Sequence, residues 1–151
     1  MRALIQRVKR SSVTVNGQVH GSIGKGCLVL LGVKQGDGEG DALYVAEKCA
    51  ALRIFDDTEG KMNLSVRDVE GEVLVVSQFT LYGDTRRGNR PSYSDAAPPQ
   101  IAESLYEKYI SEMKRLVGSQ KIQCGMFRAM MEIELVNDGP VTVMIESKDS
   151  Y

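Results

Sequence analysis

The chain lacks the side chains on which most metal and acid–base sites depend. It contains a single histidine, His20, in a segment rich in glycine. One imidazole supports neither a Ser-His-Asp triad nor a zinc centre, so we expect His20 at the surface. Asp56, Asp57 and Glu59 are typical of a surface turn, because no further ligand follows at a spacing suited to a metal ion. No phosphate-binding glycine loop or dinucleotide fingerprint is present, and we expect no metal and no cofactor.

Cysteine is also scarce. The three cysteines, Cys27, Cys49 and Cys124, are odd in number and far apart, and no two form a C-x-x-C pair. This usage predicts reduced, mostly buried thiols in a cytoplasmic protein. The first seven residues are too polar for a signal peptide, and no apolar run approaches the length that spans a membrane, so we expect no association with a membrane.

Charge of neither sign is in excess. Lysine and arginine number 19 against 20 acidic residues, for a net charge of -1. This balance gives no bulk attraction to nucleic acid, although a local basic patch can still bind it. The 151 residues contain no repeat, linker or low-complexity segment and suffice to bury one core. We therefore predict a single domain over residues 1–151.

The first third of the chain predicts three strands and a helix. Residues 3–15 alternate apolar and polar side chains, as a half-exposed strand does. Asn16-Gly17 then predicts a hairpin with a returning strand over residues 18–23. The continuous apolar run 27–33 predicts a strand that is buried on both faces. Asp41 is placed to cap the helix that follows.

The rest of the chain predicts a second helix and several more strands. Four of these strands are predicted at residues 72–76, 121–124, 130–136 and 141–147. Pro98-Pro99 begins the helix by fixing φ where no amide hydrogen is needed, and Gly118 ends it. Two helices cannot cover so much sheet, which favours sheet-on-sheet packing or a barrel-like closure. The predicted fold class is α/β, with mixed β-sheets in a barrel-like β-β-α three-layer arrangement and two main helices; α+β is the alternative label.

A polar segment, Ser77-Gln78-Phe79-Thr80, directly follows the apolar strand 72–76. Polar groups at the end of a core strand are costly to bury unless they are hydrogen-bonded. They either satisfy the backbone where the strand bends, or they form a site in which the amides of Phe79 and Thr80 bind an oxyanion. Ser77 or Thr80 as a nucleophile would need a base within reach, and no G-x-S-x-G elbow surrounds Ser77. On the sequence alone both interpretations stay open.

A second polar segment, Asn137-Asp138-Gly139-Pro140-Val141-Thr142, separates the last two predicted strands. A hairpin turn in which Gly139 supplies a positive φ accounts for it adequately. A cis bond before Pro140 would instead aim backbone carbonyls in one fixed direction. The sequence leaves both roles open.

Three arginines, Arg86, Arg87 and Arg90, lie in a polar loop predicted over residues 83–97. Their guanidinium groups could bind phosphate, but an ordinary solvated loop is the simpler interpretation. Phe127 and Met131, taken by themselves, are typical of core packing.

Four segments of the chain, considered together, are more specific than any one of them. They are Met1-Arg2-Ala3-Leu4-Ile5-Gln6-Arg7-Val8, Ser77-Gln78-Phe79-Thr80-Leu81-Tyr82-Gly83, Asn89-Arg90-Pro91-Ser92-Tyr93 and Asn137-Asp138-Gly139-Pro140-Val141-Thr142. With these segments in this order, the chain resembles the D-aminoacyl-tRNA deacylases along essentially its whole length. It departs from that family after Phe127, where a small residue is usual and Arg128 stands here.

The resemblance implies a homodimeric hydrolase that cleaves the ester between a D-amino acid and tRNA, rejects L-aminoacyl-tRNA and accepts glycyl-tRNA at least in part. It implies that the catalytic segment Ser77-Gln78-Phe79-Thr80 of one subunit faces a cis Gly139-Pro140 element of the other, with the active site at the dimer interface. By the same resemblance, Arg7 helps to hold that element. Phe127 and Met131 would line the pocket for the terminal adenosine of the tRNA.

Two other classes of function remain open. A non-catalytic RNA-binding module would use Arg86, Arg87 and Arg90, but the weak net charge and the lack of exposed aromatic stacking motifs argue against it. A hydrolase with Thr80 as its nucleophile would need a base that the sequence does not reveal. Turnover of a D-aminoacyl-tRNA and trapping of an acyl-enzyme distinguish the three hypotheses.

Overall fold

The computed structural model describes residues 1–148. Residues 149–151, which the predicted single domain includes, lie outside the described residues. The strands are β1 (Arg2–Val15), β2 (Gln18–Ile23), β3 (Gly26–Gly32), β4 (Phe55–Asp56), β5 (Met62–Leu64), β6 (Glu72–Ser77), β7 (Ile122–Cys124) and β8 (Glu132–Glu146). The helices are α1 (Glu39–Ala51) and α2 (Pro99–Val117), with short 3₁₀ helices at Phe79–Tyr82 and Ser119–Lys121.

The long strand β1 organises a mixed sheet. Its first half pairs with β3 and its second half with β2, while β8 pairs with it along the opposite edge; all three pairings are antiparallel. The predicted hairpin between β1 and β2 is confirmed, since Asn16 (φ 50°) and Gly17 (φ 78°) both take the positive φ that a type I′ turn requires. Beyond β3, the pairings of β3 with β6 and of β6 with β7 are parallel.

Both faces of β3 are buried, as the unbroken apolar run predicts. Cys27, Val29 and Leu31 belong to the main core, which includes the buried faces of both helices. Leu28 belongs to a second core on the other face of the sheet, and Leu30 packs against that core. Because β2 also packs against β6 and β7, the sheet nearly closes into a barrel. The predicted α/β class, with mixed sheets, barrel-like closure and two helices, is confirmed.

The start of α1 differs from the prediction. The helix begins at Glu39 with Gly38 as its N-cap, so Asp41 stands in the first turn rather than at the cap. Its carboxylate accepts a hydrogen bond of 2.8 Å from the Gly38 amide. An acidic side chain there satisfies a free amide of the first turn and interacts favourably with the helix dipole. In α2, by contrast, Pro99 opens the helix and Gly118 (φ 123°) follows its end, as predicted.

The two strands predicted near the C-terminus form one strand, β8. Val8 of β1 pairs with Asn137, and Gln6 pairs with Thr142, so both halves of β8 run antiparallel to β1. A hairpin turn at Asp138-Gly139-Pro140 is therefore wrong, because the chain does not reverse there. Residues 138–141 instead bulge out of the strand opposite the single residue Arg7.

No helix within residues 1–148 is long and apolar enough to cross a membrane. His20 is exposed on β2, as predicted. The segment between α1 and β6 forms only the small β4–β5 hairpin, which is separate from the main sheet.

We expect Gly26→Ala to prevent normal packing of β3 on β6. A Cβ on Gly26 would lie 1.7 Å from the carbonyl oxygen of Glu72, the residue with which Gly26 pairs. The oxygen cannot retreat without breaking the strand pairing, so the free energy of unfolding should fall by about 3 kcal/mol or more in urea denaturation.

Gly24→Ala is the matched control for this change. A Cβ there meets only the flexible carboxylate of Glu72, at 3.5 Å, and the free energy of unfolding should change by less than about 1 kcal/mol. Equal urea midpoints for the two variants would contradict the packing that we describe.

Candidate functional site

A cavity of about 770 Å³ lies at the carboxyl ends of β3 and β6. The ends of these parallel strands meet there, because Leu31 pairs with Ser77. The remaining walls come from the loop before α2, from the first turns of α2 and from the segment that leads into β8. The lining includes Ser77, Gln78, Phe79, Tyr93, Ser94, Pro98, Tyr106, Phe127, Arg128, Met130 and Met131.

The lining offers no general base. Among the described residues, it contains no histidine, cysteine, aspartate or glutamate, and Arg128 is its single charged side chain. Burial raises the pKa of Tyr106, and its hydroxyl donates a hydrogen bond of 3.1 Å to the Val75 carbonyl oxygen. This phenol therefore stays neutral at physiological pH. The cavity presents backbone amides, hydroxyls and apolar surface, which is the kind of site that the sequence predicts.

The polar segment after β6 changes direction at the cavity. The backbone amide of Gln78 continues the strand pairing through a 2.8 Å hydrogen bond to the Leu31 carbonyl, and a 3₁₀ helix begins at Phe79. Within residues 1–148, the amides of Phe79 and Thr80 have no hydrogen-bond acceptor. Thr80 is exposed and does not line the cavity; its hydroxyl accepts a hydrogen bond from the Gln78 side chain.

An aromatic pair lies at the mouth of the cavity. Phe79, of which 58% is exposed, packs edge-on against Tyr93 with ring centroids 5.1 Å apart. Tyr93 follows a loop whose base is closed by reciprocal hydrogen bonds between Asp84 and Ser92, at 2.7 and 2.9 Å. The pair therefore extends the apolar surface of the cavity toward solvent.

The three arginines of the loop before α2 do not line the cavity. Arg86 donates two side-chain hydrogen bonds to the Asp84 carboxylate, at 2.9 and 2.7 Å, and thereby holds the pKa of Asp84 well below its usual range. Arg87 and Arg90 are exposed and are not part of the cavity lining. An exposed pair of this kind adds little to stability.

Phe127 and Met131 line the same cavity as Ser77. That this cavity receives the terminal adenosine stays a prediction from the resemblance. The Phe127 ring packs against the Tyr106 ring, with centroids 5.8 Å apart. Between them, Arg128 has a φ of 67°, in the left-handed region. This backbone conformation costs a residue with a Cβ roughly 1–2 kcal/mol, and glycine avoids the cost.

The bulge of β8 is a separate feature on the same chain. The Gly139–Pro140 peptide bond is cis, as the resemblance implies, and Gly139 has a φ of 145°. Both residues are exposed, and neither lines the cavity. The single chain thus brings Ser77, Gln78, Phe79, Phe127 and Met131 together, but not Thr80, Arg7, Gly139 or Pro140.

Arg7 fixes the start of the bulge from inside the protein. It is 9% exposed. Its Nε donates a 2.8 Å hydrogen bond to the carbonyl of Asp138, and one Nη donates a 2.7 Å bond to the carbonyl of Ile54. A buried guanidinium that donates to two backbone carbonyls ties the bulge to the chain at β4. This geometry agrees with the supporting role that the resemblance implies for Arg7.

Asn137 fixes the other end of the bulge, a role that the sequence analysis did not assign to it. Its Oδ1 accepts a 2.8 Å hydrogen bond from the Val141 amide, and its Nδ2 donates to the Thr142 hydroxyl at 3.2 Å. The side chain therefore bridges the four bulged residues. An asparagine before Asp-Gly-Pro was the available signal, because Asn side chains commonly bond to nearby backbone in tight turns.

The thiols take no part in the cavity. Cys27 and Cys49 are buried, and burial raises the pKa of each to about 12, so both stay protonated and unreactive. Cys124 is half-buried, and all three cysteines are free, as predicted. Within residues 1–148, no three His, Cys, Asp or Glu side chains are grouped so as to hold a metal ion.

Replacing Asn137 by alanine should loosen the bulge. The Val141 amide loses its acceptor, so the free energy of unfolding should fall by about 1–2 kcal/mol, and hydrogen exchange at that amide should accelerate. Asn89→Ala, in the exposed arginine loop, is the control and should alter neither quantity. Unchanged exchange at Val141 in the Asn137 variant would contradict the bridge.

Comparison with known proteins connects the chain to one family. The family model for D-Tyr-tRNA(Tyr) deacylase matches residues 4–146. A D-aminoacyl-tRNA deacylase from Carboxydothermus hydrogenoformans is 54% identical over 146 residues, which cover 97% of this chain and 99% of that protein. One from Syntrophobacter fumaroxidans is 55% identical over 151 residues, the full length of both. A solved structure of a c-Myc DNA Unwinding Element Binding Protein has a TM-score of 0.94 at 39% identity, covering 99% of this chain and 100% of that one. The chain therefore belongs to the D-Tyr-tRNA(Tyr) deacylase family.

Proposed function

We propose that the protein hydrolyses the ester that joins a D-amino acid to the 3′ end of tRNA and leaves L-aminoacyl-tRNA intact, a chirality check in translation. The observation that carries this proposal is the cavity: its described lining has no histidine, thiol or carboxylate. It includes Phe79, whose backbone amide has no acceptor within residues 1–148, and the equally free amide of Thr80 is the next along the chain. Membership of the family supports the choice of substrate. Glycyl-tRNA is expected to be a partial substrate.

An aminoacyl ester suits a site of this kind because it is already activated. Water adds to the carbonyl carbon, the ester C–O bond breaks, and the products are the free amino acid and a tRNA with its ribose hydroxyl restored. The amides of Phe79 and Thr80 would stabilise the oxyanion that forms on the way. Such preorganised donors are usually the largest single catalytic contribution, and removing one typically costs on the order of 10²–10³ in rate. The adjacent ribose 2′-hydroxyl would assist, so no protein nucleophile is required.

The bulge of β8 would provide the chirality check. Asp138 and Val141 are held by Arg7 and Asn137, so the exposed Gly139-Pro140 segment between them has a defined position. A rigid backbone element placed against the substrate Cα admits a hydrogen atom and excludes a side chain. Exclusion by shape acts on every L-amino acid in the same way and should not depend on which D-amino acid is attached. Glycine has no side chain to exclude.

The positions of the cavity and the bulge support a dimer. On one chain the bulge does not line the cavity, and both are exposed. A two-fold arrangement would place the Gly139-Pro140 segment of each protomer against the Ser77–Thr80 segment of its partner. The exposed apolar side chains at the cavity, Phe79 (58%) and Met130 (91%), would then be available for contact with the partner. The three free thiols are consistent with a cytoplasmic protein.

Two rival functions have weaker support. An RNA-binding module would draw on Arg86, Arg87 and Arg90, but Arg86 is engaged by Asp84 and none of the three lines the cavity. Thr80 as a nucleophile lacks a base, because the described hydrogen-bond partner of its hydroxyl is the side-chain amide of Gln78. Both rivals make different predictions from the proposed esterase.

The decisive assay compares the release of D-tyrosine, L-tyrosine and glycine from their tRNAs in the presence of a chelator. We expect release of D-tyrosine, slower release of glycine and no release of L-tyrosine. Phe127→Ala, which removes a wall of the cavity, is the matched variant and should release D-tyrosine much more slowly. Binding of tRNA without turnover would favour the RNA-binding module, and a trapped acyl group on Thr80 would favour the nucleophile.

Mixed dimers test whether the site is shared between protomers. Phe127→Ala alters the cavity, and Gly139→Ala alters the bulge, because a Cβ on Gly139 would lie 2.8 Å from the Val141 nitrogen. Each homodimer should be nearly inactive. When the two variants are mixed in equal amounts, dissociated and reassociated, half of the dimers should be heterodimers. Each heterodimer has one of its two sites intact, so about a quarter of wild-type activity should return. No recovery in verified heterodimers, or a fully active monomer in sedimentation, would refute the shared site.

A further inference from the structure

The charge in the cavity is concentrated at one place. Arg128 is the single charged residue in the described lining; the other side chains are apolar, aromatic, hydroxyl or amide groups. We propose that Arg128 binds the phosphodiester on the 5′ side of the substrate's terminal adenosine. This inference rests on the proposed function and assigns a role to the one charged side chain of the described lining.

The Arg128 guanidinium is free to bind a ligand. Its side chain is exposed and has no hydrogen bond or ion pair within residues 1–148. Arg86 and Arg115, by contrast, each donate hydrogen bonds to a carboxylate, of Asp84 and Glu112 respectively. No acidic residue of the described lining is present to neutralise Arg128. An unpaired cation beside a neutral cavity attracts a ligand that carries a negative group at that end.

The backbone at Arg128 is fixed as well as unusual. It lies in a turn closed by a 3.2 Å hydrogen bond from the Ala129 amide to the Met126 carbonyl, and its φ is 67°. On one side is Phe127, whose ring packs on Tyr106. Residues other than glycine that are kept in the left-handed region cluster at active sites and ligand-binding sites. Here the turn places the base of the arginine side chain directly beside Phe127.

The chemistry of the proposed substrate matches this arrangement. Phe127 and Met131 offer the apolar, polarisable surface that suits a nucleobase, and the ester end of the substrate would lie at Ser77 and Phe79. The one anionic group near the adenosine is the phosphodiester at its 5′ oxygen. A guanidinium recognises two phosphate oxygens at once through parallel N–H···O bonds, which an ammonium group does not reproduce.

The test uses two small substrates, the 2′(3′)-O-D-tyrosyl esters of adenosine and of adenosine 5′-phosphate. With the wild-type protein, KM should be about tenfold lower for the ester that carries the phosphate, since the added contact is a charge-assisted hydrogen bond. In Arg128→Gly the two KM values should become equal, so the ratio between them should fall from about ten to about one. Glycine accepts the positive φ, so this variant should fold.

Two further variants sharpen the result. Arg128→Lys keeps the charge without the planar fork and should retain part of the phosphate preference. Arg87→Gln removes a positive charge outside the cavity and should retain all of it. The preference should also shrink as salt is raised, because screening weakens an exposed charge contact. A phosphate preference that survives in Arg128→Gly, or an equal loss of activity on both esters, would overturn the proposal.

A binding arm separates this proposal from the proposed function. Calorimetry with adenosine and adenosine 5′-phosphate should give about tenfold tighter binding of the phosphate form to the wild type and equal binding to Arg128→Gly. If the wild type hydrolyses neither ester, the proposed function fails, while this comparison still decides the role of Arg128. Equal affinity of the wild type for adenosine and adenosine 5′-phosphate, or no binding of either, would overturn the phosphate site.

Discussion

The pairing of β8 with β1 on both sides of a single residue is the constraint on which the rest of the molecule depends. Because Val8 pairs with Asn137 and Gln6 with Thr142, four residues of β8 face one residue of β1 and must leave the sheet. The same pairing directs the side chain of Arg7 to the carbonyl of Asp138. A bulge that is held by strand pairing on both sides cannot relax as a terminal loop can.

The chemistry of the cavity follows from the way in which β6 ends. A parallel strand buried on both faces brings its last amides to the edge of the sheet, where Ser77 meets the end of β3. The chain then turns at Phe79, and the amides of Phe79 and Thr80 have no acceptor among residues 1–148. Such a site depends on backbone geometry rather than on ionisable side chains, which agrees with a chain that has one exposed histidine and two deeply buried thiols.

Local turn chemistry made much of this fold predictable. Asn16-Gly17 and Pro98-Pro99 fix backbone angles by themselves, so the hairpin and the start of α2 follow from the sequence. The single strand β8 could not be predicted, because a turn and a bulge use the same residues, and only the distant partner β1 distinguishes them. The shared cavity of Phe127, Met131 and Ser77 joins segments that are distant in sequence, so their spacing along the chain does not predict it. Asn137 carried a local signal, because it stands directly before Asp-Gly-Pro, but its partner at Val141 follows from the bulge rather than from a turn.

The burial of the thiols has a consequence for the response of this protein to oxidants. Peroxides and electrophiles attack the thiolate, and burial keeps Cys27 and Cys49 in the thiol form. In the single protomer, the sulfur most open to oxidation at the cavity is instead the thioether of Met130, which is 91% exposed. Its conversion to the sulfoxide would make an apolar rim polar, and methionine sulfoxide reductases can reverse that change. Oxidative damage at this site would therefore be repairable without disturbing the core.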